Sequence, residues 1–419
     1  MPGFACALVP FTELAAERWP GVLDQAVELG LPGVMLDLVW RTHERGVGRA
    51  DFSGARDVRR FLGLAAGRGL WAAVRLGPLF AGESGLGLPE RVLGARACQA
   101  MGPRGAPRFA PCPWRLVPAP DLGAPALVAE LEGWLEVALG ALARAAADGH
   151  GPRAAVLDLT ALLAYHAPPA GALLAAAERL SARVRARLPG VELLQVVGPR
   201  APAELALGLA AGADGLGAPL RAGRGELDPV AARCAGLRAL GHAPLGLPLP
   251  AGVALFGPVR ALDDHIFTSL AGLMHGLEGF ALESLVDRRG WTGAPLRADG
   301  APVAEPADWV RRLLRLCARL APWRLKALGH GGERGLPEVG DPELLLAWHG
   351  PAGPEAGRPA EGPGCLWLAN PTAAPRSARL RLPAGLQPVD VWRRSELGAR
   401  PGELEVGPHR LRPLEIAPC

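Results

Sequence analysis

The chain has 419 residues and a formal net charge of +4, with 49% hydrophobic and 21% charged residues. This composition supplies enough apolar material for a large globular core. The arginines are spread along the chain rather than clustered, which argues against a nucleic-acid-binding surface. No apolar run approaches the roughly 18 residues that a membrane span needs, so no membrane partner is expected.

The N-terminal segment, Met1 to Phe11, has neither the basic region nor the full-length hydrophobic region of a signal peptide. It is better interpreted as a first β-strand, and we therefore expect a cytoplasmic protein. The seven cysteines are widely scattered, without a C-x-x-C pair or a His/Cys cluster of metal-binding spacing. Neither a disulfide framework nor a metal site is predicted, and no cofactor is expected.

From the N-terminus to about residue 330, short apolar runs alternate with amphipathic segments. The predicted strands are Phe4–Phe11, Gly33–Trp40, Trp71–Pro78, Ala154–Thr160, Val191–Gly198, Asp214–Leu220, Pro244–Pro250 and Glu278–Val286. The predicted helices are Glu17–Leu29, Gly54–Gly67, Val128–Ala147, Leu173–Leu188, Glu204–Ala211, Pro229–Leu240, Asp263–His275 and Ala307–Leu320. Eight strands alternating with eight helices predict an α/β fold of the (β/α)8 TIM barrel type. A doubly wound open sheet is the structural alternative.

Two regions depart from this alternation. The segment Ala97–Ala124 is rich in Pro and Gly, which predicts a long loop on top of the barrel. After Gly331 the helical periodicity ends, and short period-2 segments separated by turn residues predict a small antiparallel β-sandwich. We therefore expect a barrel domain over residues 1–330 and a β domain over residues 331–419.

In a TIM barrel, chemistry is carried by the loops that follow the strands, and two such regions hold recognisable motifs. The first region contains Trp40-Arg41-Thr42-His43-Glu44, Asp51-Phe52-Ser53-Gly54, Arg75-Leu76-Gly77-Pro78, Glu83 and Gly87-Leu88-Pro89. The second contains His275-Gly276, Gly279-Phe280, Asp287-Arg288, Trp291 and Gly293. In both regions the chain resembles glycoside hydrolase family 35 and its relatives in family 42, the barrel β-galactosidases.

The resemblance implies retaining hydrolysis of a terminal β-galactoside by two carboxylates about 5 Å apart. In that family the acid/base Glu follows an Asn at the end of strand 4, and the nucleophile Glu ends strand 7. Here Thr160 and Ala161 fall at the first pair of positions, and Pro248 or Leu249 falls at the second. No Asp or Glu occurs from residue 229 to residue 262. Because neither a methyl group nor proline can protonate an oxygen or attack an anomeric carbon, the sequence predicts that the family's catalysis is missing.

Several other residues near the predicted strand ends remain candidates for function. The weak substitutes for the missing catalytic carboxylates are Asp158, Glu283 and Asp287. The candidates for substrate binding are Arg75, Glu83, Trp40, His43 and Trp291. Each has a structural alternative: a rim ion pair for Arg75 and Glu83, a brace of the barrel top for His43, and arginine pairing for Asp158 and Asp287.

Three functional hypotheses remain open at this point. The first is a catalytically degenerate barrel that binds a carbohydrate or a partner protein through its top. The second is an active glycoside hydrolase that uses relocated carboxylates. The third is a structural subunit of a homo- or hetero-oligomer.

Overall fold

The computed structural model describes residues 4–78, 80, 84–112, 115–160, 163, 166–254, 261–288, 291–330, 338–339, 341, 343–351, 364–382, 386–391 and 403–418. Eight parallel strands close into a barrel in which each strand pairs with its neighbours along the chain, and the last pairs with the first. The strands are β1 (Ala5–Leu8), β2 (Gly33–Asp37), β3 (Trp71–Pro78), β4 (Ala154–Asp158), β5 (Glu192–Val196), β6 (Gly215–Ala218), β7 (Leu245–Leu249) and β8 (Gly279–Leu282). The closed barrel confirms the predicted fold and excludes the open doubly wound sheet.

Eight helices follow the strands around the outside of the barrel. They are α1 (Trp19–Glu28), α2 (Val58–Ala66), α3 (Pro125–Ala147), α4 (Ala170–Arg187), α5 (Ala203–Ala211), α6 (Asp228–Ala239), α7 (Leu262–Met274) and α8 (Ala304–Leu320). The sequence pattern predicted all eight, because each helix buries one apolar stripe against the sheet. Within the described residues, no helix is long and apolar enough to cross a membrane.

The barrel interior is filled by alternate side chains of the strands, among them Phe4, Leu8 and Met35, which are at most 2% exposed. Glycine occurs where strands and their side chains approach too closely for a Cβ atom. On β8, a Cβ atom at Gly279 would lie 2.7 Å from the backbone oxygen of Phe4. Close packing of this kind makes the barrel a solid core and not a pore.

The longest top-side excursions follow β2 and β3. After β2, the short helix Trp40–His43 leads into a hairpin of Glu44–Gly46 and Arg49–Ala50, and then into the 3-10 turn Gly54–Arg56. After β3 come the turn Ser84–Gly87, the short helix Glu90–Gly94, the turn Arg96–Cys98, and a hairpin of Phe109–Cys112 with Arg115–Pro118. This second hairpin lies in the segment predicted as loop, because its prolines obscure the period-2 pattern.

The tail forms two antiparallel sheets. Its strands are β9 (Trp323–His330), β10 (Glu338–Val339), β11 (Leu345–Pro351), β12 (Gly364–Asn370), β13 (Arg376–Arg381), β14 (Leu386–Asp390), β15 (Glu403–Val406) and β16 (Arg410–Pro418). One sheet has the order β9-β11-β12-β16-β14, and the other has the order β10-β13-β15. Because β9 pairs with β11, the larger sheet includes Trp323–His330. The domain boundary between residues 330 and 331 stays a prediction.

The larger sheet has two buried faces, which fixes the β domain beside the barrel. In β12, Leu366 and Leu368 face the interior between the two sheets, whereas Cys365, Trp367 and Ala369 belong to the main core that includes the barrel helices. A strand buried on both sides is expected to be continuously apolar, as residues 364–369 are.

Candidate functional site at the barrel mouth

A buried ion pair lies at the carboxyl ends of β2 and β3. Asp37 is the last residue of β2 and stands opposite Arg75 in the parallel pairing of the two strands. The Nε and one Nη group of Arg75 donate to the two carboxylate oxygens of Asp37 over 2.8 and 2.6 Å. Burial opposes the charge of Arg75, but Asp37 raises the pKa of the guanidinium above its usual value, with smaller contributions from Asp158 and Glu283. The bidentate geometry holds Arg75 in one orientation.

A second set of charges follows β8. Glu283 is paired with Arg221, which lies in the loop after β6. Burial raises the pKa of Glu283 above its usual value, although the guanidinium groups of Arg221, Arg75 and Arg288 act in the opposite direction. Arg288 in turn pairs with Glu13, from the loop after β1, over 2.9 Å. Loops after three different strands are thus joined by arginine–carboxylate pairs.

Asp158 ends β4, directly across the barrel from β8. Its Oδ1 atom accepts a hydrogen bond of 2.9 Å from the backbone N–H of Thr160, and the Thr160 hydroxyl lies 3.0 Å away. The same hydroxyl accepts a hydrogen bond of 2.8 Å from the backbone N–H of Gly198, after β5. Thr160 is 5% exposed and joins two neighbouring strand ends.

Asp287 and Trp291 fix the loop after β8. Asp287 accepts a hydrogen bond of 2.8 Å from the backbone N–H of Ala294. The indole N–H of Trp291 donates to the backbone oxygen of Ala251, after β7, over 3.0 Å, and the ring is 8% exposed. The structure therefore places Trp291 between two loops, with little surface left to form a platform for a sugar.

Two further candidates, His43 and Trp40, belong to an aromatic cluster formed by the segment after β2 and Trp134 of α3. His43 is fully buried, stacks on Phe52 at 4.7 Å, and contacts the backbone oxygen of Asp51 through Nδ1 at 3.1 Å. Burial lowers the pKa of His43 to about 4, so the ring is neutral near pH 7. Trp40 stacks on Trp134 at 6.0 Å.

The positions that the sequence analysis assigned to the family's catalytic glutamates are Ala161 and either Pro248 or Leu249. Leu249, at the end of β7, is fully buried, and the neighbouring Pro248 accepts a backbone hydrogen bond of 3.1 Å from Leu220. Ala161 and Glu83 lie outside the described residues. Over the described part of the chain, no cluster of His, Cys, Asp and Glu has the geometry of a metal site.

The mouth therefore combines Arg75, Asp158 and Glu283, which sequence reasoning singled out, with partners that it missed. Asp37 could have been found, because it is a single charge at the carboxyl end of an apolar strand, where side chains of a TIM barrel face the mouth. Arg221 and Glu13 follow no pattern in the sequence. Chemically, the mouth offers a guanidinium group as a hydrogen-bond donor, that of Arg75, and carboxylates as acceptors, and each is held in place by its partners.

Comparisons with known proteins agree with this architecture. Residues 4–93 match the family described as Glycosyl hydrolases family 35. Beta-galactosidase 13 of Arabidopsis thaliana is 34% identical over 67 residues, which are 16% of this chain and 8% of the length of that relative.

Solved structures resemble the fold over nearly the whole chain. The β-galactosidase from Bacillus circulans sp. alkalophilus superposes with a TM-score of 0.65 at 8% identity, over 100% of this chain and 99% of that one. The β-galactosidase from the Antarctic haloarchaeon Halorubrum lacusprofundi superposes with a TM-score of 0.62 at 11% identity, again over 100% and 99%. The chain thus shares the fold of these β-galactosidase structures, a (β/α)8 barrel followed by a β domain, and it is similar in sequence to glycoside hydrolase family 35 over residues 4–93.

Proposed function

We propose that this protein is a β-galactosidase-like barrel that does not hydrolyse glycosides and that binds a carbohydrate at the barrel mouth. One observation carries the proposal: the end of β7 supplies no carboxylate, since no Asp or Glu occurs from residue 229 to residue 262. A retaining glycosidase needs an anion there to attack or stabilise the anomeric centre. Leu249 fills that position with buried apolar surface.

The carboxylates that remain at the mouth are held by other groups. Asp37 is bound by Arg75, Glu283 by Arg221, and Asp158 by the backbone of Thr160. A carboxylate that neutralises a neighbouring guanidinium is a weak nucleophile, because its lone pairs are already engaged. This supports loss of hydrolysis.

The same pairs support retention of binding. Arg75 uses Nε and one Nη group on Asp37, and its side chain keeps 22% of its surface exposed. Its other Nη group makes no hydrogen bond to a described residue, and we propose that it donates to a sugar hydroxyl. Because Asp37 fixes the guanidinium, little side-chain entropy remains to be lost when a ligand binds.

The test combines turnover with binding. Purified protein is assayed with nitrophenyl β-galactoside and β-glucoside, and galactose and lactose are titrated by calorimetry. We expect no release of nitrophenol, measurable heat of binding, and loss of that heat in Arg75→Met. The exposed variant Arg297→Gln, whose side chain is 59% exposed and pairs with Asp299, is the matched control and should bind normally. Absence of binding to both sugars would contradict the proposal.

A second candidate function is hydrolysis by relocated carboxylates, favoured by one specific observation. The charges of Asp158 and Glu283 both act on Arg75, and burial raises the pKa of Glu283, as is typical of a general acid. Under this alternative, turnover would survive rigorous purification and disappear in both Asp158→Asn and Glu283→Gln. Turnover unaffected by either change would indicate a contaminant.

Assembly into a homo- or hetero-oligomer stays a prediction. Light scattering coupled to size-exclusion chromatography tests it directly: a mass near the 43.5 kDa of one chain would contradict a homo-oligomer.

A further inference from the structure

A cavity of about 640 Å³ lies between the barrel and the β domain. This volume is within the roughly 300–1,000 Å³ typical of ligand sites, which occur preferentially at domain interfaces. Its walls come from α7, from α8, and from β15, β16 and the turn between them. The lining residues that matter for recognition are Phe267, Trp309, Arg312, Gly407, Arg410 and Arg412. We call this cavity the interdomain cleft.

The walls of the interdomain cleft are fixed to one another. His409, in the turn between β15 and β16, packs so closely on the loop after β6 that a Cβ atom at Gly225 would lie 2.5 Å from its Nδ1 atom. Asp263, at the start of α7, pairs with Arg224 of that loop at 3.3 Å and with Arg410 of the β domain at 3.5 Å. The cleft is therefore formed before any ligand arrives, which lowers the entropic cost of binding.

The lining is amphipathic. Apolar surface is contributed by Phe267 and its neighbours on α7, and by the half-buried indole of Trp309 on α8. The rim carries three arginines and two carboxylates, which are Arg312, Arg410, Arg412, Asp263 and Glu405. Sugars present the same combination, because C–H groups cover one face of the ring and hydroxyl groups surround its edge.

The charge of the cleft is close to balanced. Arg312 is paired with Asp308 of its own helix at 2.8 Å, and Arg410 is paired with Asp263 at 3.5 Å. Two of the three guanidinium groups thus lie beside a carboxylate, and the third, that of Arg412, donates a hydrogen bond of 3.1 Å to the backbone oxygen of Glu405. A strongly anionic ligand gains little from such a rim, whereas neutral hydroxyl groups can bond to both members of each pair.

We propose that the interdomain cleft is a second carbohydrate site that binds a short neutral oligosaccharide, with a sugar face against Trp309 and hydroxyl groups on the paired charges of the rim. None of the residues that line it belongs to the mouth site described above. The two sites are therefore separable by substitution.

In the experiment, the full chain is titrated with maltotriose, cellotriose and β-1,4-galactotriose in turn, and the heat of binding is measured by calorimetry. Gly407→Leu fills the cleft, and its Cβ atom would contact only Arg410 Cγ, at 3.5 Å, an ordinary van der Waals distance. We expect at least one trisaccharide to bind, and we expect Gly407→Leu and Arg410→Gln each to raise its Kd roughly tenfold or more. Arg297→Gln is the matched control for Arg410→Gln, because both arginines are more than half exposed and each pairs with one aspartate.

The outcomes separate this proposal from the proposed function of the mouth. Binding that is weakened by the cleft substitutions and unchanged in Arg75→Met supports the second site. Binding that is lost in Arg75→Met but unchanged in Gly407→Leu and Arg410→Gln assigns the ligand to the mouth and overturns the cleft proposal. Failure of all three trisaccharides to bind, or binding of sulfated trisaccharides alone, also overturns it.

Discussion

The charges of Asp37 and Arg75 at the barrel mouth can be tested by measuring how their removal changes the free energy of unfolding. Both side chains are largely shielded, with 9% of Asp37 and 22% of Arg75 exposed, and the two hydrogen bonds are 2.8 and 2.6 Å long. Two perturbations are informative. Asp37→Asn removes the negative charge and leaves the guanidinium buried, and Arg75→Met removes the positive charge and leaves the carboxylates.

The structure predicts unequal costs for the two changes. Breaking a buried pair by removing one partner typically costs about 3–5 kcal/mol, because the remaining charge is uncompensated. After Asp37→Asn, the charges of Asp158 and Glu283 still act on Arg75, so we expect the lower end, about 3 kcal/mol. After Arg75→Met, three carboxylates lose a shared cation, so we expect about 5 kcal/mol. The double variant should cost less than the sum, because neither charge is then left alone.

Urea denaturation followed by circular dichroism at pH 7.5 measures these free energies of unfolding. The control pair is Arg297 and Asp299, which are 59% and 57% exposed, and Arg297→Gln should leave the unfolding midpoint unchanged. If Asp37→Asn lowers the free energy of unfolding by less than about 1 kcal/mol, as loss of a surface pair would, then the ion pair is more exposed to solvent than in the structure and this prediction is wrong. Additive single and double variants would equally refute the coupling.

Two further predictions concern pH and packing. Burial lowers the pKa of His349 to about 4 from an ordinary value near 6.5, so the unfolded chain takes up a proton there before the folded one does. The contribution of His349 to stability is therefore full above pH 6.5 and is lost by about 1.4 kcal/mol per pH unit between pH 6.5 and 4. His349→Gln should make the pH profile of the urea midpoint shallower in this range without flattening it, because burial lowers the pKa values of His43 and His275 in the same way. Gly279→Ala should destabilise the barrel by about 1–3 kcal/mol, because the backbone oxygen of Phe4 cannot move away. Gly236→Ala in α6, where a Cβ atom meets nothing within 4 Å, should instead add about 0.5–1 kcal/mol, and equal melting temperatures for the two variants would contradict this account.

The sequence by itself determined the barrel and most of its elements. The strand Trp71–Pro78 was predicted at its observed bounds, since its apolar run is interrupted by one charged residue, Arg75, and ends in turn residues. Helices such as Ala304–Leu320 were predicted within three residues, because one apolar stripe repeats at the helical period. The hairpin at Phe109–Pro118 was missed, because proline removes the strand signature while still permitting an isolated two-stranded ribbon.

Only the tertiary structure decided which charges meet. Arg221 and Glu283 are 62 residues apart, and Glu13 and Arg288 are 275 apart, yet both pairs close at the mouth because barrel closure brings all strand ends to one face. The same holds for β9, whose antiparallel partner β11 lies further along the chain and is set by the pairing itself. The tendency to form a helix or a strand follows from the spacing of apolar residues along the chain. Ion pairs and domain boundaries instead depend on distances that exist only after the barrel has closed.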